Sequence, residues 1–450
     1  MVLCMKPHHD MNRCIAIDAQ IPVNGVVGGV EQGLIALVKA LGQLEGPEHY
    51  LLVCPPEHPH WLKDYMGPNQ QIIIGPSYNA RRLVKGVFGK AWPKVWEVGQ
   101  QIWMQVARRV VPHRMPPGWI CDSNGFFESL GVSVVHVFIQ KYVRTSLPTI
   151  FNPHDLQHEH FPQFFSPQVL SRRKYVYREA CKAAAAIVAG SRYTKEDVIN
   201  YYQIPPEKAW VIPAGPAIAA YEPVTDTVCR EVAQKYNLVE PFIFYPAVTW
   251  EHKNHLRLLE AIYLLREAGV KVNLICTGVK YEPTWSRIHR FIREHQLIGQ
   301  VRFLGYVSNE ELQALYRLCQ FVIAPSLFEQ ASGPMIEAWN EDVPVATSNV
   351  TSLPDQAGNA ALLFDPFSVE AISDAIRRIS TDAELRADLR ERGRRRLQDF
   401  SWERTAKAYR ALYRYVAHWP MTDEDRHLLG WDWMREPQSR TRNTIHSGST

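Results

Sequence analysis

Strand-sized apolar runs alternate with stretches of helical period twice along this chain, and no other feature restricts its fold as much. CIAIDA (14–19) reads as a strand, and VEQGLIALVKALG (30–42) places Val30, Leu34, Leu37, Val38 and Leu41 on one helical face. HYLLVCP (49–55), VSVVHVF (132–138), PTIFNPH (148–154), AAAIVAGS (184–191) and AWVIPAG (209–215) continue the series, with a helix over 166–182. A polar, proline-containing stretch at 222–226 intervenes. A second series follows: strands at 242–248, 272–278, 301–307, 321–326 and 343–348, and helices over 255–269, 284–296, 309–319 and from Pro334. Strands alternating with helices make parallel, doubly wound sheets. Two such series predict an α/β protein of two Rossmann-like domains facing across a cleft, with ligands at the carboxyl ends of the strands. The expected boundaries are 1–220 and 221–400, then a helix over 401–420 crossing back to the first domain. A frayed tail over 421–450 would be anchored by Trp431 and Trp433.

The 450 residues, 46% hydrophobic and 21% charged, suit two globular domains. A net charge of +4 is too small to argue for nucleic-acid binding. The eight cysteines are scattered without a CxxC pair, which favours reduced thiols over a disulfide framework. No apolar run approaches the ~20 residues of a membrane span, and the N-terminus lacks an apolar signal core. The expected location is cytoplasmic, with peripheral contact at the inner face of the membrane. That contact is suggested by 79–119, where Arg81, Arg82, Lys85, Lys90, Lys94, Arg108, Arg109 and Arg114 oppose the single acid Glu97. Trp92, Trp96, Trp103 and Trp119 are interleaved among them. A basic, aromatic helix suits anionic headgroups or an anionic, lipid-diphosphate-linked acceptor. A packed helix with a solvated basic face fits equally, and no nucleic-acid motif accompanies the patch.

SLFEQASGPMIEA (326–338) places Glu329 and Glu337 eight positions apart around a Gly333-Pro334 step. Pro334 suits the first helical position, because its missing N–H would be unpaired there anyway. That puts Gly333 at the N-cap with Ser332 just before it. Free backbone N–H groups at a helix start attract anions, and Gly and Ser let a phosphate come close. A carboxylate beside such a site disfavours phosphate, so the two glutamates need another task. Accepting hydrogen bonds from the vicinal hydroxyls of a ribose or a sugar is one. Taken alone, the pair reads more readily as a helix-dipole partner, Glu337, and a surface loop residue, Glu329.

The stretch resembles the E-x7-E signature of the retaining GT-B glycosyltransferases of family 4. Four other segments resemble that family in its own order: GVVGGVEQGLIALVKAL (25–41), IFNPHDLQHEHFPQFFS (150–166), AIVAGSRYTKEDVINYY (186–202) and EHKNHLRLLEA (251–261). EDVPVATSNVTSLPDQAGNAALLFDP (341–366) resembles its segment after the signature. The resemblance implies a GT-B fold and a retaining hexosyltransferase. It would move a sugar, mannose first, from a nucleotide-diphospho-sugar to a glycan or lipid-linked acceptor of surface polysaccharide or glycolipid synthesis. It also implies roles. Lys253 matches the lysine that neutralises the diphosphate, Glu337 the carboxylate on the ribose, and Glu329 the one on the donor sugar. Ser332 and Gly333 match the loop whose amides meet the phosphates, Gly28 and Gly29 the glycine loop near donor and acceptor, and His154 the histidine near the donor sugar. No metal or other cofactor is implied. Transfer would be a front-face displacement in which the leaving phosphate helps take the acceptor proton.

Two departures stand out. Many members carry an arginine six positions before the motif lysine, where this chain has Ala247; His252 and His255 are candidate replacements. The usual E-G-F-G reads Glu329-Gln330-Ala331-Ser332. His154, Asp155, His158 and His160 would also admit a metal site or a simple turn cap. Two other readings stay open: a sugar-nucleotide-binding protein without turnover, and an NAD(P)-dependent oxidoreductase. The first strand lacks the GxGxxG that the latter needs.

Overall fold

The computed structural model describes residues 13–21, 29–76, 120–431 and 433. Gly28, the basic segment 79–119 and the tail beyond Trp433 lie outside the described residues. The chain sorts into two compact units. The first comprises residues 1–188, 198–210 and 409–426, and the second 189–197, 211–408 and 427–450.

The first unit carries β1 (Cys14–Asp18), β2 (His49–Cys54), β3 (Gln70–Ile74), β4 (Ile120–Asp122), β5 (Val134–Val137), β6 (Tyr142–Arg144), β7 (Thr149–Phe151), β8 (Ala186–Ala189) and β9 (Ala209–Val211). Seven of them form one sheet in the order β3-β2-β1-β5-β7-β8-β9, while β4 and β6 pair separately. Every registered pair is parallel. Helix α1 (Gly29–Gly42) buries Leu34, Leu37, Val38 and Leu41, the face its period marks. Helix α2 (Pro167–Ala183) starts where the Ser166 hydroxyl accepts from the Val169 amide, and α3 (Arg192–Tyr202) follows β8. Sequence patterning misses β3, β4 and β6. Residues of β3 are only partly buried, so no apolar alternation announces that strand.

The second unit carries β10 (Phe242–Pro246), β11 (Asn273–Thr277), β12 (Val301–Phe303), β13 (Phe321–Ala324), β14 (Val345–Ser348) and β15 (Leu362–Phe364). They form an all-parallel sheet in the order β12-β11-β10-β13-β14-β15. Successive strand residues feed opposite faces. Ile243, Tyr245, Leu274, Cys276, Phe321 and Ile323 join one apolar cluster, and Phe242, Phe244, Ile275 and Val322 join the other. The first face is covered by α5 (His255–Glu267), α6 (Thr284–Glu294) and α9 (Val369–Thr381), and the second by α4 (Asp226–Lys235), α7 (Asn309–Leu318) and α8 (Gly333–Asn340). Double coverage explains why these strands read as continuous apolar runs. Helix α7 opens on a capping box in which Ser308 and Glu311 satisfy each other's backbone amides.

Three helices complete the chain: α10 (Ala383–Leu397), α11 (Trp402–Val416) and α12 (Asp423–Leu429). Helix α11 begins in the second unit and ends in the first. Within the first unit, the buried His136 holds the Tyr413 hydroxyl at 2.7 Å through Nδ1 and the Asn152 Oδ1 at 2.9 Å through Nε2. Asn152 donates to the Tyr409 hydroxyl at 2.7 Å. Burial pushes the His136 imidazole down to about 4, so the ring stays neutral and satisfies both partners. Arg414 bridges Glu48 and Asp425 at 2.8 Å each. In the second unit Arg404 stacks on Trp431 and Trp433, at 4.4 and 5.5 Å from the ring centroids, so the expected tryptophan anchor is in contact there.

Candidate active site

The strand order of the second unit runs outward in both directions from β10 and β13, so the topology switches between them. In open parallel sheets the crevice beyond the carboxyl ends at such a point receives ligands. Lys253 follows β10, and Glu329, Ser332 and Gly333 follow β13, so the fold brings four separately read residues to one place.

Each is fixed by its own loop. The chain after β10 makes a short turn over Glu251–Lys253 and passes through Asn254, which adopts φ 60° at the start of α5. Asparagine tolerates that left-handed conformation. Its buried side-chain amide donates to the carbonyls of Pro325 and Pro366 at 3.0 and 2.8 Å, tying the loops after β13 and β15 to this turn. The Tyr245 hydroxyl donates to the Lys253 carbonyl at 2.8 Å, and the Leu327 amide to the His252 carbonyl at 2.7 Å. Burial holds the Tyr245 phenol well above its usual range, so it remains a donor.

The Lys253 Nζ meets Glu329 Oε1 at 2.5 Å, with the two side chains 16% and 14% exposed. The Glu329 amide donates to the Thr351 hydroxyl at 3.1 Å, and the Ser352 hydroxyl donates to the Glu329 carbonyl at 2.8 Å. Ser332 is the N-cap of α8, its hydroxyl accepting from the Met335 amide at 3.3 Å, and Gly333 and Pro334 occupy the first two helical positions. The expected frame was one residue later, with Gly333 as cap. The hydroxyl decides it, because glycine has no side chain to cap with. One amide expected to be free for an anion is thereby occupied. Gly333 is exposed, with open space where a Cβ would stand, so its backbone is approachable.

Glu337 lies one turn into α8, half-buried, with Oε2 accepting from the Tyr316 hydroxyl at 2.7 Å. Burial pushes its carboxyl above the usual range, against the pull of that hydrogen bond. Tyr316 thus orients one oxygen of the carboxylate.

Ala247, where family members carry an arginine, sits at the end of β10 against Gly278, which has φ +109°. A Cβ on Gly278 would stand 2.7 Å from the Ala247 carbonyl carbon, so the two backbones pass in contact. His255 does not replace the missing cation. It is 2% exposed, and burial, with Lys253 adding to it, pushes its pKa down to about 3, so the ring is neutral. A histidine at the start of a helix looks accessible in the sequence; here its ring packs against Tyr245 and Phe303. His252 is half-buried and stacks on Trp250 at 5.7 Å.

His154 belongs to the first unit and adopts φ 62°. Its Nε2 lies 2.6 Å from the Phe138 carbonyl, which can only accept, so Nε2 carries the proton. Burial lowers its pKa, which leaves a neutral ring with Nδ1 as acceptor. His158 turns its Nε2 to the Tyr202 hydroxyl at 3.1 Å, and among the described residues no group of three or more metal-ligating side chains converges. Gly29 is the exposed first residue of α1. The sequence reading missed Tyr245, Tyr316, Thr351, Ser352 and Gln356, all of which act on the site through hydrogen bonds. No periodicity or motif marks them.

Two Rossmann-like units, with this lysine-glutamate constellation at the switch point of the second, define a GT-B glycosyltransferase. The family description Glycosyltransferase Family 4 matches residues 27–216, and Glycosyl transferases group 1 matches residues 231–396. The O-antigen chain mannosyltransferase B of Escherichia coli is 30% identical over 269 residues, covering 58% of this chain and 69% of that one. The serotype-specific mannosyltransferase WbdA of Escherichia coli is 28% identical over 229 residues, half of this chain but only 28% of WbdA. Among solved structures, Anabaena Alr3699/HepE in complex with UDP and glucose superposes at TM-score 0.64 with 15% identity, covering 89% of this chain and 99% of that one. At that identity the likeness speaks for the fold. The chain belongs to glycosyltransferase family 4, the glycosyl transferases group 1, and is a glycosyltransferase.

Proposed function

We propose that the second unit binds a nucleotide-diphospho-sugar and that the enzyme transfers its hexose, mannose first, to a glycan or lipid-linked acceptor in surface polysaccharide synthesis. The observation that carries this reading is the placement of Lys253, Glu329, Gly333 and Glu337 around one switch point, with the backbones of Lys253 and Glu329 held by hydrogen bonds and the Glu337 carboxylate held by Tyr316. Lys253 and the Gly333 amide take the diphosphate, the Glu337 carboxylate takes the ribose, and Glu329 takes hydroxyls of the sugar. Charge on the departing diphosphate is met by an ammonium and a helix start, which needs no metal. His154, with the glycine loop at Gly28 and Gly29, completes the proposed set. The relatives above, an O-antigen chain mannosyltransferase and a serotype-specific mannosyltransferase, support mannose and O-antigen-type polysaccharide.

Thermal unfolding with GDP, UDP, ADP and dTDP tests the reading. One nucleotide is expected to raise the melting temperature by mass action, and Lys253→Ala to abolish the shift. A protein indifferent to all four and to their sugar-bearing forms sinks the proposal.

A further inference from the structure

The Lys253–Glu329 pair has a consequence for which ligand the site keeps. The two side chains are mostly buried, 2.5 Å apart, and among the described residues neither has another ion-pair partner. Their backbones cannot drift. Tyr245 holds Lys253, and Thr351 and Ser352 hold Glu329 from both sides. Without a ligand the two charges therefore neutralise each other.

We propose that this pair makes the site discriminate between a sugar-bearing nucleotide and the free nucleoside diphosphate, and so drives product release. The inference rests on the reading of the site as a donor site. A diphosphate that captures the Lys253 ammonium strips Glu329 of its cation and sets a second anion nearby. A buried carboxylate left without its partner is strongly unfavourable. A donor sugar replaces the lost ammonium with hydroxyl donors, so the carboxylate stays satisfied. Once the sugar has left, only the diphosphate remains. The Lys253–Glu329 contact then competes with it for the lysine and expels it. Specificity in this scheme comes from an unpaired group in the wrong complex as well as from contacts in the right one.

Calorimetric titration of the full chain without acceptor, using GDP against GDP-mannose and UDP against UDP-glucose, tests the scheme. Wild type should bind the sugar-bearing member of its cognate pair more tightly than the bare diphosphate. Glu329→Gln removes the charge and frees Lys253, so it should bind the bare diphosphate about tenfold more tightly than wild type, roughly 1.4 kcal/mol, and lose the preference. Glu329→Asp keeps the charge and should keep the preference, which separates the charge effect from loss of folding. Equal binding of both members by wild type overturns the inference while leaving the donor site standing. So does an unchanged preference in Glu329→Gln. Failure of every nucleotide to bind overturns the donor reading and this inference together.

Discussion

Glu337 shows how much one hydroxyl can set. Its raised pKa means that the ionised form, proposed above to accept the ribose hydroxyls, starts to be lost at a higher pH than for an ordinary carboxylate near 4.3. Donor KM should therefore rise as the medium is acidified, beginning above that range. The Tyr316 hydrogen bond favours the charged form, so Tyr316→Phe should move the midpoint of that rise to higher pH. Donor KM measured against pH for the two proteins checks the direction, and coincident profiles would dismiss the role of Tyr316. At this scale the sequence was half legible. Lys253, Glu329 and Glu337 stand in a recognisable spacing. Tyr316 and Tyr245, which aim and pin them, sit inside apolar runs that read only as core. His255 was misjudged for the same reason: burial, which a single sequence does not display, decides whether an imidazole is a cation.

Helix α8 depends on a clamp outside itself. The Gln356 side chain accepts from the Ser332 amide at 2.6 Å and donates to the Ser332 carbonyl at 3.1 Å, with both residues almost fully buried. The Gln356 carbonyl is in turn gripped by Arg396 at 3.0 Å. The family's usual Gly-Phe-Gly stands where this chain has Gln330-Ala331-Ser332, so the departure noted in the sequence coincides with a side chain that fixes the altered turn. Gln356→Leu leaves the Ser332 amide unpaired and the Ser332 carbonyl with only the long bond from the Ile336 amide, 3.5 Å. It should destabilise the protein by about 1–3 kcal/mol in denaturant titration. Donor KM should rise more than kcat falls, because the turn proposed to meet the phosphates loosens; an unchanged KM would reduce Gln356 to a purely structural contact. Element types and order were largely readable because the central strands of both sheets are buried along nearly their whole length. The cap of α8 was misread by one residue, since proline's preference for the first turn is satisfied at two neighbouring positions and only the reach of Ser332 separates them.

For the whole molecule, no helix among the described residues is long and apolar enough to cross a membrane. Contact with lipid is proposed for the basic, tryptophan-rich segment 79–119, on its composition alone. Co-sedimentation with vesicles of anionic lipid at low salt should retain the protein, and charge-neutral vesicles should not. Loss of anionic binding on exchanging Arg81, Arg82, Arg108 and Arg109 for glutamine would assign it to the segment, and no binding to either vesicle would dismiss it. The two-domain plan was legible from the two strand-helix series. The particular contacts of the last helices in the first unit were not, because Tyr409 and Tyr413 carry no mark of the distant His136 and Asn152 they meet.

That sharing has a consequence for the chain as it is made. A domain built from one continuous stretch can close as soon as its last residue clears the ribosome. Here the first unit takes residues 409–426, which emerge some two hundred residues after position 210. At ~5–20 residues per second, that is a wait of roughly 10–40 s, during which His136 and Asn152 lack their tyrosines and Glu48 its arginine. The nascent N-terminal half is thus born with its polar core open, and its completion is timed by the arrival of the C-terminal helices.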